Sequence, residues 1–431
     1  MTNKSLVVTL LCLFLSLTVA SQDAPSKVFV RAGRFLDVKS GKILNDQAIV
    51  IEGDKIVSVG PAPSTQAPAG ATVINLPNST VLPGLIDSHV HLTGDIKNVG
   101  YRGLGISVPR ATLTGARNAR VTLDAGFTTV RNVGAEAFSD VALRDAINDG
   151  DIPGPRMLVS GPLLGITGGH CDNNLLPWEY HATEGGVADG VEAVQRKVRE
   201  NIKYGADLIK ICATGGVLSK GDDPQASQFT QAELQAIVAD AHRLGRKVAA
   251  HAHGAQGILW ATEAGADSIE HASYINDEAI AAMKKHGTYL VPTLYLGDWF
   301  LENAESLHVP PDIVAKAKVI MPAARKNVAH AFAGGVKVAF GTDAAVYPHG
   351  LNAHEFAVLV KLGLSPLQAI QAATINAADL LGWSDKVGTL EPGKWADLIA
   401  VDNDPLQDVT TLERVKFVMK GGAVVRNDYG K

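Results

Sequence analysis

Five of the thirteen histidines fall in a pattern that can do chemistry: His89, His91, His251, His253 and His271. In His89-Val90-His91 and His251-Ala252-His253 the imidazoles are two residues apart, so on a strand both project from one face. That spacing lets two rings converge on one ion. A single His-x-His is a weak signal, because a histidine at a strand end more often packs or hydrogen-bonds. Two such pairs and a third strand-end histidine are a stronger signal, and imidazole suits zinc-like ions. Spacing alone does not choose between His251 and His253.

Two further residues fit the same chemistry. Lys210 stands in Asp207-Leu-Ile-Lys-Ile-Cys, inside an apolar strand-like run, where a buried ammonium is costly unless paired or chemically altered. Asp343 follows Val338-Ala-Phe-Gly-Thr. A carboxylate there can bind a metal and still take a proton from metal-bound water, although a Thr-Asp after a strand also suits a helix N-cap. Cys212 lies two residues beyond Lys210, without a legible base to activate it as a nucleophile.

The elements that must position these groups read as strand, helix, strand, helix. Helical stretches close on Gly126, Gly205, Gly245, Gly265, Gly287 and Gly335, and a short β-rich run follows each. Glycine after a helix turns the chain in the left-handed conformation without a Cβ clash. Helical spacing precedes one such stop in Ala232, Leu234, Ile237, Val238, Ala241 and Leu244. With runs at Leu85 and Met157 there are eight strand candidates, and the alternation predicts a parallel sheet closed into a (β/α)8 TIM-like barrel of class α/β. In that fold the active site sits where the strands end, which is where the histidines stand. A doubly wound open sheet is disfavoured, since no glycine-rich dinucleotide fingerprint follows the first strand.

The flanks differ. Residues 27–80 and 386–431 hold short alternating runs, such as Ala48-Ile-Val-Ile-Glu and Asp397-Leu-Ile-Ala-Val, with no long helix. Each is too small for a comfortable core, so the two are expected to form one β-sandwich, residues 21–82 and 386–431, around a barrel of residues 83–385. Before them Lys4 precedes an apolar run from Leu6 to Ala20. Fifteen residues are short for a ~30 Å hydrocarbon core, so residues 1–20 read as a signal peptide cleaved after Ala20. The alternative is an uncleaved anchor. The expected product is exported, periplasmic or secreted, with no stable membrane insertion once cleaved. Its loss leaves only Cys171 and Cys212, which excludes a disulfide scaffold; spacing does not decide whether the two pair. A net charge of −5 without a basic block gives no reason to expect nucleic acid.

Taken in order, Val81-Leu-Pro-Gly-Leu-Ile-Asp-Ser-His-Val-His-Leu, Lys210, His251, His271, Thr342-Asp343 and Gly388-Thr-Leu-Glu-Pro-Gly-Lys-Trp-Ala-Asp-Leu resemble the amidohydrolase superfamily, in its two-metal subtype with a bridging lysine. The resemblance covers nearly the whole chain after the apolar segment. It implies two divalent ions, with zinc the expected metal, and a Lys210 carboxylated by carbon dioxide that touches both. His89, His91 and Asp343 would bind the more buried ion, and His251 and His271 the second. His253 would then be left for substrate. It further implies attack by a metal-bridging hydroxide, Asp343 as proton shuttle, and homo-oligomeric assembly.

Three long segments follow strands: Pro162 to Gly186, Ala213 to Phe229 and Tyr295 to Pro310. Segments of this length in a compact barrel are usually functional loops. Thr167-Gly-Gly-His-Cys-Asp and Ala213-Thr-Gly-Gly-Val-Leu-Ser resemble the Xaa-Pro and Xaa-Arg dipeptidase branch, which includes ochratoxin-hydrolysing amidases. That implies a small-molecule or dipeptide substrate and cleavage of an amide next to a C-terminal amino acid. His253 and His170 are the candidates for orienting substrate or its carboxylate. The rivals are a cyclic-amide hydrolase or an imidazolonepropionase-like enzyme on the same barrel, and a non-catalytic barrel scaffold. Lys210 argues against one-metal deaminases, and the filled ligand positions argue against a scaffold.

Overall fold

The computed structural model describes residues 26–307 and 309–430; the apolar segment read as an export signal lies outside them. Four strands come first, β1 (Lys27–Asp37), β2 (Lys42–Glu52), β3 (Lys55–Pro61) and β4 (Thr72–Pro83). Alternation then begins, as β5 (Leu85–Val90), α1 (Val108–Asp124), β6 (Phe127–Asn132), α2 (Ser139–Asn148), β7 (Arg156–Val159) and α3 (Val191–Lys203). It continues through β8 (Leu208–Cys212), α4 (Gln231–Arg243), β9 (Lys247–Ala252), α5 (Ala255–Ala264), β10 (Ser268–His271) and α6 (Asp277–His286). The series ends in β11 (Tyr289–Val291), α7 (Tyr295–Asn303) and α8 (Pro311–Ala333). Three closing strands follow, β12 (Leu398–Asp402), β13 (Phe417–Lys420) and β14 (Ala423–Asn427).

The fold is α/β with parallel sheets. One parallel sheet runs β5-β6-β7 and another β11-β10-β9-β8. Backbone hydrogen bonds link them on both sides. Asp207 donates to Val159, and Leu164 and Cys212 tie the chain after β7 to β8. Residues 336–340 form no regular strand, unlike the sequence expectation. They still bond β11 through Leu290 and β5 through Ser88, each neighbour being reached at only a few positions. The six glycines read as helix stops all carry positive φ, from 72° at Gly245 to 101° at Gly205. On α4 the predicted face is buried at Leu234, Ile237, Val238 and Ala241, and a Thr230–Glu233 capping box starts the helix.

Both chain ends enter one seven-stranded sheet, ordered β14-β13-β12-β4-β1-β2-β3. Its centre joins them directly, with β12 antiparallel to β4 from Leu398↔Pro83 to Asp402↔Ser79. The segment Tyr295 to Pro310 is not the expected loop, because Tyr295–Asn303 is helical. The cause is remote: the buried Glu355 carboxyl group accepts from the Leu294 and Tyr295 N–H groups and satisfies the helix start. The other two segments are largely irregular, as expected.

Candidate active site

β5 carries His89 at its end and His91 just beyond, and their Nε2 atoms lie 3.4 and 3.3 Å from Asp343 Oδ1. The three offer ligand atoms within 4.8 Å of one another. The His271 ring sits 5.0 Å from His89 and 4.7 Å from His251, centroid to centroid. Lys210, on β8 beside β9, is 1 % exposed, and its Nζ has no hydrogen-bond partner among the described residues. All six groups, with His170 and His253, line one cavity of about 530 Å³, a size that suits a small organic ligand. His271 and Asp343 hold φ at 69° and 60°, a region costing a non-glycine residue about 1 kcal/mol or more. Such strain at two of the converging groups suits a site held for function.

Each ring is oriented from behind. His89 Nδ1 donates to Glu270 at 2.7 Å, and Glu270 also accepts from Arg131 at 2.9 Å. His271 Nδ1 lies 2.7 Å from Thr293 Oγ1, and His91 Nδ1 lies 3.3 Å from the Gly134 carbonyl. These contacts leave Nε2 of all three rings facing the cavity. His251 is reversed: its Nε2 lies 3.2 Å from the Gly215 carbonyl, so Nδ1 is left for a ligand. A metal site needs such outer partners to fix tautomer and ring angle. Asp87, two residues before His89, accepts from the His89 N–H and from Thr342 and Asn352, tying β5 to the Asp343 turn.

The electrostatics match a cation site. Burial pushes the imidazoles of His251 and His271 well below their usual range, so both are neutral, as ligands must be. Burial opposes ionisation of Asp343, yet His89 and His91 hold its carboxyl well below the ordinary value. Burial also opposes ionisation of Glu270, but Arg131, Lys210 and His89 keep it low. Lys210 is pushed down to about 8, by burial first and against the pull of Glu270.

His253 Nδ1 meets Ser273 Oγ at 2.7 Å, and its ring stacks 5.1 Å from His271. His170 stacks 4.2 Å from the His251 ring. Burial lowers the two to about 3 and about 4. The two Gly-Gly motifs seen in the sequence meet here, because a Cβ on Gly216 would fall 2.1 Å from His170 Nδ1. Cys171 is disulfide-bonded to Cys212, with Cα atoms 6.1 Å apart, which joins the His170 loop to the strand of Lys210. The pairing that spacing left undecided is thus made, and Cys212 carries no free thiol. Trp178 and Tyr180, on the same loop, are 81 % and 69 % exposed and stand outside the cavity.

Sequence reasoning missed the supporting shell of Glu270, Arg131, Thr293 and Ser273, with Ser219 and Asp222 behind His170. Glu270 had a signal, being an acid in the short apolar run Ser268-Ile-Glu-His. Arg131 is a buried cation on β6, and the others sit in loops without a signal.

Known proteins resemble this arrangement over nearly the full length. The chain is 35 % identical over 439 residues to ochratoxinase of Aspergillus niger, covering 95 % of this chain and 89 % of that one. The crystal structure of that ochratoxinase superposes with a TM-score of 0.85 at 33 % identity, covering 94 % and 97 %. A Xaa-Pro dipeptidase with methionine bound in its active site gives 0.88 at 38 % identity, covering 93 % and 100 %. A prolidase complexed with N-methylphosphonate-L-proline gives 0.84 at 31 %, covering 93 % and 100 %. The model of the amidohydrolase family matches residues 80–425, and with the site and these relatives it makes the chain a hydrolytic enzyme of the amidohydrolase family.

Proposed function

We propose that this enzyme is a two-metal hydrolase of the amide bond to a C-terminal amino acid, acting on dipeptides and N-acyl amino acids, including ochratoxin-like amides. The observation that carries the proposal is Lys210, a wholly buried cation whose Nζ has no hydrogen-bond partner among the described residues, beside four neutral or carboxylate-facing imidazoles and Asp343. An orphaned buried ammonium is expensive, and a carboxyl group added to its amine from CO2, with loss of the protons, would remove the positive charge and create an anionic group able to bind both ions. His89, His91 and Asp343 would hold one ion, His251 and His271 the other, and carboxylated Lys210 both. Zinc suits this nitrogen and oxygen donor set. The names of the relatives, a dipeptidase, a prolidase and an ochratoxinase, support the choice of bond.

When bound, such ions lower the pKa of water and polarise a carbonyl. The chain's own contributions are positional. Asp343 is placed to take the proton of the attacking water and return it to the leaving amine. His253 and His170 line the cavity on the second-ion side, placed to orient the substrate. The links through 159–164 and 336–344 support a closed barrel of residues 83–385, and the shared sheet supports a β-sandwich of residues 21–82 and 386–431. Export through residues 1–20, to the periplasm or medium, and homo-oligomeric assembly belong to the same proposal. No helix among the described residues is long and apolar enough to cross a membrane.

The test is hydrolysis of Xaa-Pro, Xaa-Arg, Xaa-Phe and N-acyl-Phe substrates with zinc and bicarbonate, before and after chelation. Chelator-sensitive release of the C-terminal amino acid is expected. A fully metallated protein that releases none from the panel would overturn the proposal and favour cyclic amides.

A further inference from the structure

His170 is held by a chain of groups that no ligand set requires. Its Nδ1 lies 2.8 Å from Ser219 Oγ, and Ser219 Oγ lies 2.6 Å from Asp222 Oδ1. Asp222 in turn accepts from the Gly216 N–H at 2.9 Å and from Gln228 Nε2 at 3.4 Å, with Lys316 Nζ 3.6 Å away. Lys316 also donates to the carbonyls of Gly216 and Ser219, and Gln228 Oε1 accepts from the His170 N–H. The disulfide Cys171–Cys212 anchors the next residue.

The direction of these bonds follows from donor inventory. A carboxylate only accepts, and a serine hydroxyl has one proton. Surrounded by N–H donors and a lysine, Asp222 accepts the hydrogen bond of the Ser219 hydroxyl, so the Ser219 oxygen must accept from His170. In the neutral ring the His170 proton is then on Nδ1, and Nε2 carries a lone pair. Nε2 has no protein partner among the described residues, while the ring lines the cavity.

We propose that Ser219 and Asp222 are positioning residues that lock His170 in the Nδ1–H tautomer, so that its Nε2 accepts a hydrogen bond from an N–H donor of the substrate. This deepens the hydrolase reading and rests on it for the substrate. Of the two roles expected for His170, orienting the substrate or its carboxylate, it favours the first, because a lone pair and a carboxylate are both acceptors. Two substrate groups share the required chemistry, the N–H of a secondary amide and the N-terminal ammonium of a dipeptide.

The test uses the zinc-loaded full chain with 15N-labelled histidine. Long-range proton–nitrogen spectra, with His170 assigned from its absence in His170→Asn, should show Nδ1 protonated and Nε2 bare. Ser219→Ala and Asp222→Asn should each move that signature toward the other tautomer, and a wild-type His170 protonated on Nε2 would overturn the proposal. In kinetics, N-acetyl-Phe offers only the amide N–H, Ala-Pro only the ammonium, and N-acetyl-Pro neither. Ser219→Ala should cost kcat/KM up to about tenfold more on whichever of the first two seats its N–H on His170 than on N-acetyl-Pro. Equal loss on all three would overturn the assignment, and Asp222→Asn repeats the test should Ser219→Ala misfold. If the wild type cleaves none of the three and no Xaa-Arg or Xaa-Phe dipeptide, the hydrolase reading fails, while the spectra still decide the tautomer.

Discussion

The support behind His89 sets a quantitative expectation. Glu270 is fully buried, accepts from His89 Nδ1 with one oxygen at 2.7 Å, and accepts from Arg131 Nη2 with the other at 2.9 Å. Glu270→Gln keeps the shape but offers one acceptor oxygen in place of two. Either His89 or Arg131 then faces an amide NH2, and the guanidinium, 3 % exposed in its side chain, loses its counter-charge. Breaking a buried pair costs about 3–5 kcal/mol, and the hydrogen bond that survives places the variant near the lower end. Loss of an outer partner lowers metal affinity about 10–100-fold, equivalent to about 1.4–2.8 kcal/mol. Denaturant unfolding of the metal-free protein measures the first quantity, and competition with a chromophoric chelator measures the second. The weakened ion should be the one on His89, His91 and Asp343, with the other less affected. Unchanged affinity at both sites, even with stability lost, would refute the orienting role and leave Glu270 a packing residue.

Other outcomes follow from the same geometry. Asp343→Asn should retain much of the metal while losing most turnover; near-normal activity by product assay would remove it from proton transfer. Lys210→Met replaces a buried, unpartnered cation with an apolar chain, so metal-free stability should hold or rise by about 1–3 kcal/mol while activity collapses, a combination read by denaturant unfolding and amino acid release. Reduction of Cys171–Cys212 reopens a sequence separation of 41 residues and should cost about 4 kcal/mol by chain entropy; an unchanged denaturation midpoint with both thiols free would contradict this. Glu355 is raised to about 8 by burial, against the backbone donors of Tyr295 and Leu294. The folded state therefore keeps a proton that the unfolded chain sheds. That stabilisation is complete below pH 4.5 and lost as pH rises through about 8. Glu355→Gln should thus gain on the wild type between about pH 5 and pH 9 in denaturation midpoints, and parallel curves would count against it.

What the sequence made legible was local. Helix ends were marked by Gly205, Gly245 and Gly265, whose left-handed φ ends one element and aims the next. His89 and His91 share a face because a strand repeats every two residues, and that needs no tertiary knowledge. Tyr295–Asn303 was misread as loop because its helix start is satisfied from Glu355, some sixty residues away. The shell was hidden for the same reason: Glu270 reaches His89 across 181 positions, and Ser219 reaches His170 across 49.

Lys210 marks the boundary between the two kinds of information. An isolated cation in an apolar strand conflicts with local burial rules, so the conflict itself pointed to chemistry. His170 carries no such conflict, since an imidazole beside glycines is at home in any loop. Its role depends on which nitrogen holds the proton, and that depends on a serine and a carboxylate placed by Lys316 on a helix about a hundred residues further along the chain. A candidate ligand can thus be nominated from its residue type and spacing, whereas the acceptor or donor character of a neutral histidine exists only once the fold has supplied its partners.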